Sequence, residues 1–384
     1  MTEQDKRETL CIIAGEPSGD LLGARLIAGL EAMAPGRFRY VGVGGEAMAA
    51  EGHSSLFPMS DLSVMGLAEV LPRLPLLIRR IRETTQFVLE TQPVAVITID
   101  APDFSFRVQK RLKKAGSQIP RIHYVAPTVW AWRPGRAKKC AAFLDHMLCL
   151  LPFEPPYFEA AGLKASFVGH PVLEGGAADG DGEAFRTRHG IASEAKLLCV
   201  LPGSRGGEIK PLLPIFGETV AQLAETIPNL HIAVPTLPHL KGRVQAAIDT
   251  WPVAVTLTTD KSEKFDAFNA ADAALAASGT VGLELAVAGC PHVIGYRVNW
   301  LTAAIVRRLI KVRFAHLVNL IADKPVIPEF LQENCTPDAL SSAISELLIG
   351  GRAAPQVDEA ATALAQLRPE VATEGQILLA TLRN

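Results

Sequence analysis

Long apolar runs are absent from this chain of 384 residues. A helix that spans a bilayer needs about 20 consecutive apolar residues, and no run of the sequence approaches that length. The segment Met1–Glu8 is polar, and the apolar run Leu10–Ala14 behind it is too short for a secretory leader. We therefore expect a cytoplasmic protein that meets a membrane only at its surface.

Charge of one sign and clustered cysteines are missing as well. Charged residues make up 20% of the chain, hydrophobic residues make up 48%, and the formal net charge is −2. This balance excludes an intrinsically disordered chain and argues against a nucleic-acid partner. No CxxC pair and no cysteine–histidine spacing suits zinc, so we expect reduced, mostly buried thiols. The six cysteines are Cys11, Cys140, Cys149, Cys199, Cys290 and Cys335.

Short β-branched runs alternate with helical patterns along the chain, which is typical of parallel sheets built from βαβ units. The length exceeds the usual size of a single hydrophobic core, so we expect two domains. The strands predicted in the first half are Leu10–Ala14, Tyr40–Val43, Val94–Ile99, Arg121–Val125, His146–Leu150 and Ser166–Val168. The strands predicted in the second half are Leu197–Leu201, His231–Val234, Val253–Leu257, Ala273–Ala276 and His292–Gly295. Together they predict an α/β fold with two doubly wound parallel sheets.

A glycine-rich stretch, residues 175–182, divides the two halves. Its composition is typical of a flexible linker, so we predict a first domain over residues 1–175 and a second over residues 183–354. Apolar residues at helical spacing predict a final helix, and residues 355–384 are expected to pack back on the first domain. Two such sheets usually enclose a ligand cleft between their facing carboxyl ends, so the motifs are expected at strand ends.

The segment Leu201–Arg205 reads Leu-Pro-Gly-Ser-Arg and joins a predicted strand to a helical pattern. Glycine lets backbone N–H groups approach an anion, the helix start adds partial positive charge, and arginine can bind two phosphate oxygens at once. We interpret Gly203, Ser204 and Arg205 as the diphosphate site for a nucleotide-sugar donor. The alternative is an ordinary strand-to-helix turn, because the spacing matches neither Walker A nor GxGxxG.

A second turn of the same kind follows the predicted strand Ala273–Ala276. Ser278, Gly279 and Thr280 offer another helix start to an anion. Glu284 lies one turn further along the same helix face, where its carboxylate can accept hydrogen bonds from the two hydroxyls of a ribose. The alternative for this residue is a solvated glutamate on a helix surface.

Near the start of the chain, Glu16, Ser18 and Gly19 follow the first strand and open a helix. We expect their exposed amides to line the cleft on the acceptor side. Only two glycines are present and no acidic residue stands after the second strand, which disfavours a nicotinamide site. No cofactor is expected.

Two carboxylates follow the buried strand Val94–Ile99. A carboxylate in this position can take a proton from an attacking hydroxyl group, and Asp100 at the strand terminus is the preferred general base. Asp103 follows Pro102 and is well placed to cap the next helix, although it also faces the predicted cleft. The sequence leaves open which of the two is the base.

Trp130 and Trp132 lie in a predicted loop after the strand Arg121–Val125. Half of the four tryptophans of the chain are in this loop. Aromatic faces suit sugar rings, which favours a contact on the acceptor side, and core packing is the alternative.

Two stretches combine apolar residues with arginine and lysine, namely Leu62–Arg82 and Trp300–Arg313. Such segments can lie in a membrane interface, where their cations meet anionic headgroups. A surface helix packed on the sheet is the alternative for each stretch.

Taken together, the motifs resemble the lipid-A-disaccharide synthase family, essentially from end to end. The matching segments are Gly15–Asp20, Ile99–Phe104, His123–Trp132, Leu151–Glu154, Phe167–His170, Leu201–Arg205, Ala277–Thr280 and Phe330–Cys335. The resemblance implies a GT-B fold, with two Rossmann-like domains around a cleft and the final helix returning to the first domain. It also implies an inverting, metal-independent transfer from UDP-2,3-diacylglucosamine to 2,3-diacylglucosamine 1-phosphate, which gives the β-1,6-linked disaccharide and UDP.

The resemblance assigns roles to individual residues as well. It implies that Asp100 is the base, that Arg205 binds phosphate and that Glu284 binds the donor. The further donor contacts that it implies are Ser278, Asn319 and Gln332. The two basic-apolar stretches and the acylated substrates predict peripheral association with the cytoplasmic face of the inner membrane. The oligomeric state stays open, a homodimer included, and a UDP-sugar epimerase or a sugar-nucleotide binding protein are the alternative functions.

Asp179 and Asp181 have the DxD spacing of a metal site known from other glycosyltransferases. They lie in the predicted linker with no strand before them, which disfavours a built site. We therefore expect no metal at this pair.

Overall fold

The computed structural model describes residues 7–62, 67–132, 135–298, 312–369 and 373–382. Its internal contacts divide the chain into two compact units. The first unit comprises Met1–His170 with Pro369–Asn384, and the second comprises Pro171–Arg368. Each unit is built around its own parallel sheet.

The first unit holds a sheet of seven parallel strands in the order β3-β2-β1-β4-β5-β6-β7. The strands are Glu8–Ala14 (β1), Phe38–Val43 (β2), Ser54–Ser55 (β3), Ala95–Ile99 (β4), Arg121–Tyr124 (β5), His146–Cys149 (β6) and Lys164–Phe167 (β7). The strand order reverses between β1 and β4, where Ala14 is in register with Ile99. Crevices at such a reversal are the usual ligand sites of open α/β sheets.

Helices cover both faces of this sheet. They are Pro17–Met33 (α1), Glu46–Ala50 (α2), Leu67–Thr91 (α3), Pro102–Lys114 (α4), Gly135–Ala141 (α5), Pro155–Glu159 (α6) and, from the end of the chain, Glu374–Thr381 (α15). Leu378 of α15 is buried in the same cluster as Leu26 and Leu30 of α1. The predicted return of the final helix to the first domain is therefore confirmed.

The second unit holds six parallel strands in the order β10-β9-β8-β11-β12-β13. The strands are Lys196–Leu201 (β8), Leu230–Pro235 (β9), Ala254–Thr258 (β10), Ala273–Ala276 (β11), His292–Tyr296 (β12) and Glu329–Leu331 (β13). The helices are Gly182–Arg188 (α7), Gly206–Thr226 (α8), Lys241–Ile248 (α9), Lys261–Ala270 (α10), Thr280–Val287 (α11), Leu317–Ala322 (α12), Pro337–Leu348 (α13) and Ala353–Ala365 (α14). Here the order reverses between β8 and β11.

The α/β class and the two doubly wound sheets are confirmed, and every predicted strand is present. Two strands were not predicted, β3 and β13. β3 has only two residues, both exposed, and β13 has three half-buried residues. Neither carries a buried apolar run, so pairing with a neighbouring strand rather than local pattern forms them.

The glycine-rich stretch is not a flexible linker, which corrects the prediction. Its centre, Ala177–Asp179, is a short 3₁₀ turn, and the amide of Asn269 donates to Ala177 O at 2.9 Å. A side-chain carbon at Gly180 would lie 2.2 Å from the carbonyl oxygen of Phe265, and one at Gly182 would lie 2.6 Å from the backbone of Asn269. The glycines therefore serve close packing against α10 rather than mobility.

The helix α14 belongs to the second unit. The side-chain amide of Gln356 accepts a hydrogen bond from His292 N at 2.6 Å and donates to His292 O at 3.2 Å. These bonds tie α14 to the start of β12. The part of the chain that joins the first unit begins at Pro369.

The two basic-apolar stretches are described in part. No helix among the described residues is long and apolar enough to cross a membrane. Residues 63–66 and 299–311 lie outside the described ranges, so most of the second stretch, Trp300–Arg313, is not described. In the first stretch Leu74 is 38% exposed, whereas Arg80 forms ion pairs with Asp61 at 2.6 Å and Glu83 at 2.7 Å. Arg80 is thus committed to protein contacts.

Candidate functional site

In the first unit, the loops after β1 and β4 meet at the reversal of strand order. A side-chain carbon at Gly15 would lie 2.7 Å from Cβ of Ala101, and one at Gly19 would lie 3.4 Å from Ile99 O. The predicted acceptor-side turn and the predicted base are therefore neighbours. Glu16 and Ser18 of this turn are exposed, and Gly19 is buried.

Asp100 has a strained backbone and a half-buried side chain. Asp100 and Ala101 have φ angles of 47° and 42°, in the left-handed region that costs a residue with a side chain about 1–3 kcal/mol. Asp100 N donates to Tyr124 O at 3.0 Å, and the Ser105 hydroxyl donates to Asp100 O at 2.8 Å, so neighbouring elements fix this conformation. Strain of this kind is typical of functional sites.

The electrostatic setting of Asp100 suits a base. Burial raises the pKa of the Asp100 carboxyl above its ordinary value, and a hydrogen bond from the Ala101 N–H offsets part of that rise. Within the described part of the chain, no cation forms an ion pair with it. An unpaired, partly desolvated carboxylate is a better proton acceptor than a solvated one.

Asp103 differs from Asp100 in both exposure and backbone. It is exposed in the first turn of α4, and the N-cap of that helix is Ala101, which makes no side-chain capping bond. The prediction that Asp103 caps the helix is therefore wrong. The N-cap residue Ala101 has a left-handed backbone, and the helix begins at Pro102.

Trp130 donates a hydrogen bond to the buried Glu154, which was not among the predicted site residues. Glu154 is 3% exposed and accepts hydrogen bonds from Trp130 Nε1 at 3.1 Å, from Leu150 N at 3.1 Å and from Leu151 N at 3.0 Å. Burial raises the pKa of Glu154 to about 7 in spite of these bonds. Trp132 is half-buried, and its Nε1 donates to the Thr128 hydroxyl at 3.3 Å.

In the second unit, the turn after β8 has the geometry of an anion site. Gly203 has a φ of 123°, which favours glycine, and the α8 helix begins three residues later at Gly206. Arg205 has a side chain that is 79% exposed. The N–H groups of Ser204 and Arg205 point to one place, where they donate to Glu208 Oε2 at 3.2 and 3.3 Å. The Glu208 carboxylate thus accepts the hydrogen bonds of the amides that were predicted to bind a phosphate.

The turn after β11 lies beside the turn after β8. Ala277 N donates to Leu201 O at 2.9 Å, which joins the two strand ends. The N-cap of α11 is Gly279, which forms no side-chain capping bond, and Gly279 and Thr280 are exposed while Ser278 is half-buried. The structure therefore brings the two predicted anion sites together.

Glu284 lies on α11 and forms an ion pair with a residue that sequence reasoning missed. Lys264 Nζ is 2.5 Å from Glu284 Oε2, and the glutamate side chain is 24% exposed. Lys264 also lies over the rings of Phe265 and Phe268, at 5.2 and 5.6 Å from the centroids. No sequence signal could reveal this pair, because 20 residues and a strand separate its members.

Asn319 and Gln332 have different settings. Asn319 is fully buried, and its amide bonds Ile327 O at 2.8 Å, Ile327 N at 2.8 Å and Glu329 Oε1 at 2.7 Å. These hydrogen bonds tie the helix α12 to the segment that leads into β13. Gln332 directly follows β13, is half-buried and has a φ of 57°. Gln332 is thus a strained residue at a strand end, as Asp100 is.

The second residue of the DxD pair has a structural role in the second unit. The Asp181 carboxylate accepts from Ala184 N at 2.8 Å and caps α7. Among the described residues, no group of three or more His, Cys, Asp or Glu side chains could hold a metal ion.

A family model described as lipid-A-disaccharide synthetase matches residues 10–381. The chain belongs to this family. It is 58% identical over 338 residues to the lipid-A-disaccharide synthase of Rhodospirillum centenum, covering 88% of this chain and 84% of that protein. It is 51% identical over 355 residues to the protein of the same name from Paramagnetospirillum magneticum, covering 92% and 89%. Membership identifies the chain as a glycosyltransferase of lipid A biosynthesis.

Solved structures of other proteins share the fold. Acinetobacter baumannii MurG aligns with a TM-score of 0.59 at 14% identity, over 98% of this chain and 99% of that one. A UDP-GlcNAc 2-epimerase from Neisseria meningitidis, bound to UDP-GlcNAc, aligns with a TM-score of 0.61 at 12% identity, over 98% and 100%. At such identities the likeness shows the fold alone, and it confirms the predicted GT-B architecture.

Proposed function

We propose that the chain transfers 2,3-diacylglucosamine from its UDP derivative to the 6-hydroxyl of 2,3-diacylglucosamine 1-phosphate. The products are the β-1,6-linked disaccharide 1-phosphate and UDP, with inversion at the anomeric carbon. The observation that carries the proposal is the partly desolvated Asp100 carboxylate at the reversal point of the first sheet, which has no ion pair among the described residues. Family membership supports the identity of the sugars.

In the proposed reaction, Asp100 removes the proton of the acceptor 6-hydroxyl while that oxygen forms a bond to the anomeric carbon. The bond from this carbon to the diphosphate oxygen breaks, and UDP leaves with the electron pair. A single displacement of this kind inverts the anomeric centre and needs no covalent intermediate. The left-handed backbone at Asp100 supports the role, because such strained conformations cluster at functional sites.

The donor is assigned to the second unit. We infer that the segment Gly203–Arg205 binds the diphosphate, through the amides of Ser204 and Arg205 and the Arg205 guanidinium, and stabilises the charge that develops on it. The turn after β11 adds the other helix start, and Glu284 is assigned to the ribose. The remaining donor contacts of the proposal are Ser278, Gly279, Thr280, Asn319 and Gln332.

The acceptor is assigned to the first unit. We infer that the turn with Glu16, Ser18 and Gly19 and the side chains of Trp130 and Trp132 contact the acceptor sugar, with Asp103 at the edge of the site. The short distance between this turn and the loop after β4 supports the assignment. The hydrogen bond from Trp130 to the buried Glu154 supports a fixed aromatic surface.

We also propose that the protein acts at the cytoplasmic face of the inner membrane. Its substrates carry acyl chains, which partition into lipid. The exposed Leu74 lies on α3 with the exposed cations Arg73 and Arg79, a combination that suits an anionic interface.

The first experiment incubates the purified protein with both proposed substrates and identifies the products by mass spectrometry and NMR. We expect a β-linked disaccharide 1-phosphate and one UDP for each bond formed. Release of UDP without a disaccharide, or a change of configuration within the donor, would contradict the proposal.

The second experiment compares Asp100→Asn with Asp103→Asn. Loss of a general base lowers the rate by about 10²–10⁴-fold, so we expect a loss of this size in kcat for Asp100→Asn with an unchanged Kd for UDP. Asp103→Asn, its exposed neighbour, should keep kcat within about tenfold of the wild type, because it loses no general base. The opposite ranking would make Asp103 the base.

A further inference from the structure

A cavity of about 340 Å³ lies between α4 and α5 of the first unit. Among the described residues, four cations line it, Arg107, Lys110, Arg136 and Lys139, and Asp103 is the one carboxylate of the lining. We call these four cations and their cavity the basic pocket. Its size is at the lower end of the range for small-molecule sites.

Helix spacing explains why the four cations share one cavity. Arg107 and Lys110 are three residues apart on α4, and Arg136 and Lys139 are three residues apart on α5. Residues at this spacing lie on the same face of a helix. Two helices that face each other therefore present one pair each to the space between them.

Two aromatic rings position part of the cluster. Phe106 and Phe143 pack edge to face, with centroids 5.3 Å apart. Lys110 Nζ lies 5.0 Å from the Phe143 centroid, and Arg136 Cζ lies 5.6 Å from the Phe106 centroid. Cation–π contacts at these distances hold a charged group near a ring without neutralising it.

In the described part of the chain, Asp103 is the single carboxylate of the lining, so the four cations outnumber the nearby negative charge. Across the described ranges, none of the four cations of the basic pocket forms an ion pair with a carboxylate. The neighbouring Asp145 is already paired with Arg121 at 2.8 Å. Four cations around one cavity repel one another, and a bound anion removes that repulsion.

We propose that the basic pocket binds a phosphate monoester. The inference rests on the proposed function, in which the acceptor carries a 1-phosphate on the same sugar whose 6-hydroxyl meets Asp100. The helix α4 begins at Pro102, directly after the loop of Asp100, and Arg107 lies about 8 Å further along its axis. Pro102 and Asp103, which follow the loop of Asp100, also line the basic pocket, so the base and the basic pocket lie at the same end of the first sheet.

Two guanidinium groups suit this ligand best, because arginine binds two phosphate oxygens at once. The test variant is the double charge reversal Arg107→Glu with Arg136→Glu. The control is Lys113→Glu with Lys114→Glu, which makes the same change of charge at exposed positions of α4 outside the pocket. Far-ultraviolet circular dichroism and melting temperature verify that both variants fold.

The readout is steady-state kinetics in neutral detergent, with the wild type as the reference for activity. A lost charge-assisted hydrogen bond costs about tenfold or more in affinity, so we expect the test variant to raise KM for the phosphorylated acceptor by at least about tenfold. KM for the donor should not change. With 2,3-diacylglucosamine, which lacks the phosphate, wild type and test variant should have the same KM. The control variant should resemble the wild type throughout.

The possible results separate the sources of the phosphate. If the test variant loses binding to vesicles of phosphatidylglycerol but keeps its acceptor KM in neutral detergent, the pocket binds a lipid headgroup and the acceptor assignment is overturned. An active wild type with a test variant of normal KM overturns the pocket and leaves the proposed function intact. If the wild type is inactive, the proposed function fails, and calorimetry with glucosamine 1-phosphate still tests the pocket: wild-type binding that the test variant lacks supports it, and no binding overturns it.

Discussion

The strand ends of the two units hold their carboxylates in opposite ways. In the first unit, Asp100 and Glu154 are partly or fully desolvated, and burial raises both pKa values. In the second unit, two carboxylates form ion pairs. Glu208 Oε1 lies 3.6 Å from Arg205 Nη1, and Glu284 Oε2 lies 2.5 Å from Lys264 Nζ. Burial in the first unit thus raises the pKa values of its carboxyl groups, whereas the second unit pairs its carboxylates with cations.

This difference fits two different chemical tasks. A group that exchanges a proton needs a pKa matched to its work, and burial without a cation supplies that shift. A site that takes up and releases a diphosphate can use a carboxylate as a replaceable partner, because the carboxylate competes with the product for the same donors. Glu208, which sits on the amides of Ser204 and Arg205, has the position of such a partner.

The test with the largest expected effect removes the exposed guanidinium group of Arg205 in the second unit. We expect Arg205→Ala to lower kcat/KM by about 10²–10³-fold, because a donor aimed at the developing charge of the leaving group is lost. The side chain is 79% exposed, so folding should not suffer. Lys210→Ala removes an exposed cation on the helix α8, which follows Arg205; it is the control and should keep full activity. Equal losses in both variants would mean that general surface charge, not a specific contact, binds the donor.

A second test measures desolvation in the first unit. Burial raises the folded-state pKa of Glu154 from its ordinary value of 4.5 to about 7, so its stabilising contribution is complete below about pH 4.5 and is lost as the pH rises to about 7. The loss amounts to roughly 3 kcal/mol, at 1.36 kcal/mol for each unit of pKa. We expect Glu154→Gln to remove this component from the pH dependence of unfolding.

The measurement is chemical denaturation at several pH values between 4 and 8, read as the difference between variant and wild type. Glu159→Gln serves as the control, because Glu159 is exposed on the adjacent helix α6. If the difference in the free energy of unfolding stayed constant across this pH range, the pKa of Glu154 would not be raised. The contrast between the carboxylates of the two units would then weaken.

A third test asks whether Glu208 competes with the diphosphate. Glu208→Gln keeps an acceptor near the Ser204 and Arg205 amides but removes the negative charge. A unit charge at about 4 Å is worth roughly 1 kcal/mol in a water-like medium, so we expect Kd for UDP to fall about fivefold. Calorimetry with UDP measures it, and Glu218→Gln, exposed on the same helix, is the control. Weaker binding by Glu208→Gln would assign the residue to helix capping alone.

The smallest expected effect concerns the ion pair of Glu284. A partly exposed pair contributes about 0–1 kcal/mol, so Lys264→Gln should raise Kd for UDP by no more than about fivefold, through a less fixed glutamate. Lys324→Gln breaks another ion pair of the second unit, to Glu359 at 2.7 Å, and should leave Kd unchanged. If Lys264→Gln tightened UDP binding, the lysine would be competing for Glu284 rather than positioning it.

Much of the fold follows from local pattern. The apolar runs that became β1, β4 and β8 are continuous because both faces of a parallel sheet are buried, and this makes them visible in a sequence. β3 and β13 have no such run and exist only through pairing. The glycines of residues 175–182 have the composition of a linker, but the closeness of α10 explains them.

The same division holds for the sites. The sequence by itself determined which residue types stand at the strand ends, among them Asp100, Arg205 and Glu284, and it determined family membership. Only the tertiary structure decided that Asp100 has no cation beside it in the described part of the chain, that Glu208 sits on its own loop amides, and that the basic pocket forms between two helices. Desolvation and charge pairing depend on groups that the fold brings from distant parts of the chain, and no local pattern encodes those distances.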